Sequence, residues 1–382
     1  MHWADEFVHD SHNALHSIST EPVKKEACWG LALSGGGFRA MLFHLGVVRY
    51  LHDKKLLQNV KYVCCVSGGS ILGAHLVLNW DTYLTNEPWD ATGSPRQLVD
   101  FAEYDVSPRI FRRAVSILRV IPGLWSGWSP TRLLRRYYRR LYQKRKLREL
   151  APTASGLLAS RPELHILTTD LEREKLCSFS HGGFCCDILE PVPQWAKIAD
   201  QEIALAVAAS SAFPIAFGPI TLTPRRVGKQ TKEFFGRDRI VLSDGGVYDN
   251  LALLPFETHE RQWKCEVVLV SDASRVPDWS DLSGRRPFRN YMAGLKRAYE
   301  ITSDQLYRGY ERMHSAPRFV HIPIHTPREG VQYEDGTLPI EDRERLKDVR
   351  TDLDALPGRV IKALVLHGQA AAKETLTQRQ VV

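Results

Sequence analysis

Trp29-Gly30-Leu31-Ala32-Leu33-Ser34-Gly35-Gly36-Gly37-Phe38-Arg39 says more about the architecture than any other segment of the chain. Trp29 to Leu33 is short and apolar, as a buried strand is, and the glycines after Ser34 make a tight turn. Phe38 to Leu57 then carries Leu42, Leu45, Val48 and Leu51 at three-residue steps, close to the period of an amphipathic helix. The same grammar follows again: a valine-rich strand from Val60 to Val66, the turn Ser67-Gly68-Gly69-Ser70, and a helix from Ile71 to Leu78. Strand, glycine turn and helix, repeated, describe a parallel sheet wrapped by helices.

Further along, Leu164 to Leu167, Ile240 to Leu242, Val267 to Val270 and Phe319 to Ile322 fit as strands on the same plan. Helices are predicted over Pro287 to Tyr310 and over Leu346 to Leu366, the second interrupted at Pro357-Gly358. The expected fold is a three-layer α/β/α sandwich with a mainly parallel central sheet. The alternation lapses between about residues 81 and 160, which predicts an inserted helical cap. Residues 1–27 read as an N-terminal extension, 28–375 as the main domain, and 376–382 as a tail.

Composition narrows the class. At 43% hydrophobic and 25% charged, the 382 residues suit a globular chain and exclude a disordered one. The seven cysteines include two adjacent pairs, Cys64-Cys65 and Cys185-Cys186, and none at metal-ligand spacing. That predicts reduced thiols, no disulfide scaffold and no metal. The first residues hold acids and histidines without an apolar core, so no secretory signal is expected and the location is read as cytoplasmic. Ile203 to Pro224 is free of charge, but Ser210, Ser211, Pro214, Gly218 and Pro219 interrupt it. A helix end, a turn and a buried strand are expected there, not a membrane span. The net charge of +7 is local: thirteen Lys and Arg lie between Arg109 and Arg148 with no acid among them, and the remainder of the chain is slightly acidic.

Two of the turns carry chemistry. Cys65-Val66-Ser67-Gly68-Gly69 matches the nucleophile elbow G-x-S-x-G except for its first glycine, and it puts Ser67 on a sharp strand-to-helix turn. The competing reading is a plain glycine turn with a solvated serine. Backbone N–H groups of the Gly35, Gly36 and Gly37 loop would hold the oxyanion that forms when such a serine attacks an ester, with Arg39 adding charge or bracing the loop. A phosphate loop is the weaker alternative, because the final glycine of G-x-G-x-x-G is absent and no G-K-[ST] occurs. Asp244 follows the strand from Ile240, in Asp244-Gly245-Gly246, where a carboxylate at a strand end would face the same crevice. Asp249 is a fallback base, and His321, His325 or His367 would be needed for a triad, though no local context selects any of them.

Taken together, Ser34-Gly35-Gly36-Gly37-Phe38-Arg39, Val66-Ser67-Gly68-Gly69-Ser70 and Asp244-Gly245-Gly246 resemble the patatin-like phospholipase family in order and spacing. Ala209-Ser210-Ser211-Ala212-Phe213-Pro214 is similar to that family's small-residue block, and Arg350 to Asp354 with His367-Gly368 to the tail of its bacterial members. The likeness runs from Cys28 to about Ala372, with Cys65 and Ala40 as departures from its glycines. It implies that residues 28–375 form an acyl hydrolase domain. It further implies a Ser67–Asp244 dyad that hydrolyses phospholipid or lysophospholipid acyl esters without a cofactor.

The basic insert interleaves arginines with Trp125, Trp128, Tyr137, Tyr138 and Tyr142. Trp125, Trp128, Arg135, Arg136, Arg139 and Arg140 are the expected contacts to a membrane surface, giving a protein peripheral to the inner face of a membrane. Two other readings compete: a solvated helix face with Leu133, Leu134, Leu141 and Leu147 turned inward, and, less favoured, nucleic-acid binding. For the whole chain, the alternatives to a lipid hydrolase are a catalytically weak binding protein of the same fold and an esterase for small soluble esters. Oligomeric state is not legible.

Overall fold

The computed structural model describes residues 27–85, 94–104, 130–153, 160–214, 217–223, 239–274, 318–325, 346, 349 and 353–381. In chain order, β1 (Trp29–Leu33) leads into α1 (Gly37–Asp53), and β2 (Val60–Cys65) into α2 (Gly68–Leu78). Helices α3 (Trp80–Leu84), α4 (Ser94–Ala102) and α5 (Pro130–Leu141) follow, then strands β3 (Glu163–Asp170), β4 (Lys175–Ser180), β5 (Gly183–Cys185) and β6 (Trp195–Ala196). Next come α6 (Ile203–Ser210), β7 (Ile220–Leu222) and β8 (Ile240–Asp244). The chain closes through α7 (Gly246–Asp249), α8 (Leu254–Thr258), α9 (Glu260–Trp263), β9 (Val267–Asp272), β10 (Arg318–Pro323) and α10 (Gly358–Gln378). The predicted helix from Pro287 to Tyr310 and the segment ahead of residue 27 lie outside the described residues. The charge-free stretch divides as expected into α6, a turn and β7, and no described helix is long and apolar enough to cross a membrane.

Five strands, in the order β10-β9-β1-β2-β3, pair in parallel and form the middle of the sheet. Beyond β3 the sheet turns antiparallel through β4, β5 and β6, because the chain between them is too short for a crossover. Strand β8 corrects the sequence reading, which placed it on the parallel plan: it runs antiparallel to β3, with Thr168 opposite Asp244. Strands β4 and β8 both pair with residues 168–170 of β3, so they occupy opposite edges of it. Ile166 pairs with both Cys65 and Phe179, which puts β2 on the edge that β8 uses. Strands β2 and β8 therefore approach each other end to end along one side of β3.

Alternation along the strands feeds two cores, one on each face, and so makes the three layers. Leu31, Leu33, Val63, Cys65, Ile166, Leu269 and Val320 join the larger core under α1, α2, α5, α6 and α10. Ala32, Cys64, Val66, Leu167, Val268 and Val270 join the smaller one with Phe256 and Trp263 of α8 and α9. The predicted first helix stops at Asp53, short of Leu57, where Lys55 takes a left-handed φ of 55°. The predicted break at Pro357-Gly358 is a helix start, with Pro357 as the N-terminal cap of α10. Helices α1 and α10 cross with backbone against backbone: a Cβ on Gly46 would overlap the Val365 carbonyl, and one on Gly368 the Phe43 carbonyl.

This crossing reverses an ordinary rule. Gly→Ala inside a helix normally stabilises by up to about 1 kcal/mol. Gly46→Ala is instead expected to destabilise by about 1–3 kcal/mol, since the added methyl meets backbone that cannot yield. Urea unfolding decides it; a variant as stable as the native chain would contradict this packing.

Candidate active site

Ser67 stands where β2 ends and α2 begins, with φ 49° and ψ −117°, a conformation that a side chain rarely adopts. Holding it costs on the order of 1–3 kcal/mol, so the surroundings must over-determine it. They do. The Ser67 N–H donates to Ser210 Oγ at 2.9 Å, and the Ser67 carbonyl accepts from Ser70 Oγ at 2.6 Å and Ser211 Oγ at 3.4 Å. Gly69 N–H donates to the Ser34 carbonyl at 3.1 Å, tying the second glycine turn to the first. The glycines are steric requirements: a Cβ on Gly68 would overlap the Gly37 backbone, and one on Gly69 the Leu33 and Ser34 carbonyls. Cys65, in place of the elbow's first glycine, is accommodated from the other side. Gly73 of α2 leaves room for its thiol, which a Cβ there would approach to 2.9 Å.

The first turn is held as firmly. Ser34 N–H donates to the Ser271 carbonyl at 3.1 Å, and Ser34 Oγ accepts from Ala273 N–H at 2.8 Å. His44, buried on α1, bridges the Ser34 carbonyl at 3.0 Å and Ser271 Oγ at 2.6 Å. Burial lowers its pKa to about 4, against the pull of the Ser34 hydrogen bond, so it works as a neutral strut. Gly35 N–H already donates to the Asn250 carbonyl at 3.1 Å, and the space a Gly35 side chain would need holds the Asn250 amide oxygen. Gly36 (φ 137°) and Gly37 then open α1, where a helix leaves its first N–H groups without intrahelical acceptors. Of the two roles expected for Arg39, the geometry is that of a brace. Buried at 1% exposure, its guanidinium donates to the Ala273 carbonyl at 2.5 Å and the Val349 carbonyl at 3.1 Å.

Asp244 arrives from the opposite direction, at the end of β8. Continuing the β2–β3 register past Cys65–Ile166 sets Ser67 level with Thr168, the residue that faces Asp244. The Asp244 carboxyl lies beside the Ser67 hydroxyl and accepts a hydrogen bond from Gly246 N–H at 2.9 Å. Its own backbone is fixed by N–H donation to the Ala212 carbonyl at 3.1 Å and by Thr169 Oγ1 on its carbonyl at 2.9 Å. Gly245 passes so close to Leu167 that a Cβ would overlap that carbonyl. Burial pushes the Asp244 pKa up from 3.8 to about 7, opposed by the Gly246 hydrogen bond and the nearby Ser67 hydroxyl.

The other candidates do not join this pair. Asp249 Oδ2 accepts the Leu254 N–H at 2.8 Å and caps α8. Burial raises its pKa to about 6, against several backbone N–H donors, Leu254 first. His321 meets Asp272 at 2.8 Å, His367 the Ile324 carbonyl at 2.5 Å, and His325 lies against His321 at 6.5 Å between ring centroids.

The arginine helix α5 packs on α6 and buries Thr131, Leu133, Leu134, Tyr137 and Tyr138. Arg135 and Arg139 turn to Glu202, at 3.0 and 2.9 Å, just ahead of α6. Arg132, Arg136 and Arg140 are exposed at every fourth position, so they form one stripe. Trp125 and Trp128 lie outside the described residues. Ser210, Ser211, His44 and Asn250 were not singled out for these roles by sequence reasoning. Only the small-residue block around Ser210 gave a signal, since a hydroxyl in an alanine-rich helix needs a partner.

Comparison with known proteins agrees with this fold. The family model described as patatin-like phospholipase matches residues 31–257. A putative meiotic phospholipase of Saccharomyces cerevisiae, SPO1, is 34% identical over 79 residues, which is 20% of this chain and 12% of that protein. Human GIVD cytosolic phospholipase A2 in complex with methyl γ-linolenyl fluorophosphonate and terbium chloride is 14% identical. Its TM-score is 0.57, over 93% of this chain and 58% of that one. The same human enzyme alone gives 12% identity and a TM-score of 0.55, covering 62% of its chain. At these identities the likeness is one of fold, and the chain spans less than two thirds of either kind of relative.

The buried carboxyl yields a pH test. Asp244 takes its proton near pH 7 when folded but near 3.8 when unfolded. Its stability contribution is thus fully present below about pH 4 and lost as pH rises through 7. Asp244→Asn removes that dependence, so the variant should gain on the native chain between pH 4 and 7, by a few kcal/mol at pH 8. A stability difference that stays flat across this range in urea unfolding would contradict the burial of an ionisable Asp244.

Proposed function

This chain belongs to the patatin-like phospholipase family, and on that footing we propose that it is a serine lipid acyl hydrolase working through Ser67 and Asp244. One observation carries the reading: a serine on a strained elbow stands beside a buried carboxylate whose pKa lies near 7. A base near neutrality can take a proton and return it, where an ordinary solvated aspartate is too weak.

In the proposed reaction the Ser67 hydroxyl attacks the ester carbonyl as its proton passes to Asp244. The carbonyl oxygen becomes an oxyanion between the N–H groups of Gly36 and Gly37, each donor lowering the barrier by roughly 3 kcal/mol. Collapse expels the alcohol, which takes the proton from Asp244. Water then repeats the sequence on the acyl-enzyme and restores Ser67. His44, Asn250, Ser210 and Arg39 act by holding the two turns in register, because donors that must reorganise during the reaction lose most of their effect.

The substrate class follows from the family and from the fatty-chain phosphonate in complex with the human relative. Phospholipid or lysophospholipid esters fit both. The exposed stripe of Arg132, Arg136 and Arg140 supports docking on an anionic membrane, at about 1 kcal/mol per residue near the surface. Arg135 and Arg139 belong to the Glu202 pair instead. The strained elbow and the neutral-range base argue against a binding protein that merely keeps the fold, since both cost stability and serve only chemistry.

Phospholipid hydrolysis is expected to vanish in Ser67→Ala and to fall roughly 10²–10⁴-fold in Asp244→Asn. Full activity in Ser67→Ala would refute the assignment. Replacing Arg132, Arg136 and Arg140 together by Gln should weaken sedimentation with phosphatidylserine vesicles while sparing hydrolysis of a short soluble ester. Undiminished vesicle binding would remove the stripe from the account.

A further inference from the structure

Tyr138 of the arginine helix is fully buried, yet its hydroxyl has no hydrogen-bond partner of good geometry among the described residues. Two other buried tyrosines nearby do have partners: Tyr142 gives its hydroxyl to the Ile71 carbonyl at 2.8 Å, and Tyr83 meets His75 at 3.0 Å. A buried, unpaired hydroxyl is costly, and one kept in a native protein calls for a reason such as strain, a bound water or a catalytic role. The ring is not placed to turn away. It packs between Phe101 and Tyr142, at 6.0 and 6.5 Å between centroids, on a helix laid against α6.

The hydroxyl is also in a telling place. It approaches the Ser211 hydroxyl without closing a well-formed bond, and it feels the charge of Asp244. Ser211 in turn reaches the Ser67 carbonyl at 3.4 Å. The sheet order β1-β2-β3 puts the Gly36–Gly37 loop, at the end of β1, on one flank of Ser67. Asp244, paired to β3, comes from the other flank, where α6 packs on β3 and β8. Tyr138 thus stands on a helix packed to the side of the base. In the reaction proposed above, that side must hold two oxygens in turn: that of the departing alcohol, which takes its proton from Asp244, and that of the water, which gives one to it.

We propose that Tyr138 completes the active site from the inserted helix, its hydroxyl donating a hydrogen bond first to the leaving oxygen of the ester and then to the water that replaces it. This rests on the Ser67–Asp244 reading. In deacylation the water oxygen bonds to the acyl carbon as its proton moves to Asp244. The bond from that carbon to Ser67 Oγ then breaks, and the proton returns to Ser67. Tyr138 orients the water and transfers no proton. Burial holds its phenol well above the ordinary value, the Ser211 contact opposing and the Asp244 charge adding to this, so it stays protonated throughout. The arginine helix then has two faces with linked duties: an outer stripe for the membrane and an inner tyrosine for the ester.

The test is Tyr138→Phe in the full chain, which keeps the ring packing and removes only the hydroxyl. With a p-nitrophenyl fatty ester the leaving group needs no proton, so the acylation burst should match that of the native protein. Deacylation should slow about tenfold, the effect of losing one hydrogen bond to a reacting group, and acyl-Ser67 should accumulate by intact mass. A merely structural tyrosine would not divide burst from turnover in this way. An acyl-enzyme in the native chain whose deacylation is unchanged in Tyr138→Phe overturns this proposal alone. Undiminished hydrolysis of the p-nitrophenyl ester in Ser67→Ala overturns the underlying assignment and this proposal with it.

Discussion

Strand β3 runs on past the end of β2, and β8 fills the edge so vacated from the opposite direction. This end-to-end meeting is the constraint from which the site follows. Strand β2 must stop and turn away sharply, because the next place along β3 is taken. Ser67 sits at the point of that turn, and Asp244 is the last residue of the strand that forces it. No flexible loop sets the distance between hydroxyl and carboxylate. Two sets of sheet hydrogen bonds on one strand set it, which is about as rigid a coupling as a protein can make.

Such a junction is crowded, and the crowding explains the glycines better than chain flexibility does. Gly68, Gly69 and Gly245 lie where another backbone passes within contact distance. Their absent side chains let the first turn, the elbow and β3 stack directly on one another. The strain at Ser67 and the desolvation of Asp244 are both unfavourable. They are offset by the hydroxyl and amide network of Ser210, Ser211, Ser70 and Thr169, and by burial of the strands beneath. Cys65 illustrates how tightly the parts depend on each other: a larger residue at the elbow's rear is matched by Gly73 on the helix opposite.

Much of this was legible in the residues because it is local. Ser34 to Arg39 and Val66 to Ser70 each encode strand, turn and helix within a dozen residues, and burial on both faces marks the strands as apolar runs. The direction of β8 was not legible. Five residues ending in Asp244 look the same whichever way the partner strand runs, and pairing with β3 decides it across a long stretch of chain. The same holds for the insert. Its charge suggested a uniform basic face, whereas Glu202, 67 residues from Arg135, claims Arg135 and Arg139 and so fixes which arginines remain outward. Tyr138 could be read only as one aromatic among several until α5 was seen packed against α6. His44 and Asn250 likewise do their work through contacts with distant segments, and no motif announces them.

The central claim is that Ser67 is a nucleophile activated by the carboxylate it faces. The most direct measurement is to treat the full chain with an alkyl fluorophosphonate and map the adduct by peptide mass spectrometry, alongside Asp244→Asn. One stoichiometric adduct on Ser67, formed much more slowly in Asp244→Asn, is the expected result. An adduct on another residue, or labelling of Ser67 at the same rate without the Asp244 carboxylate, would contradict the account.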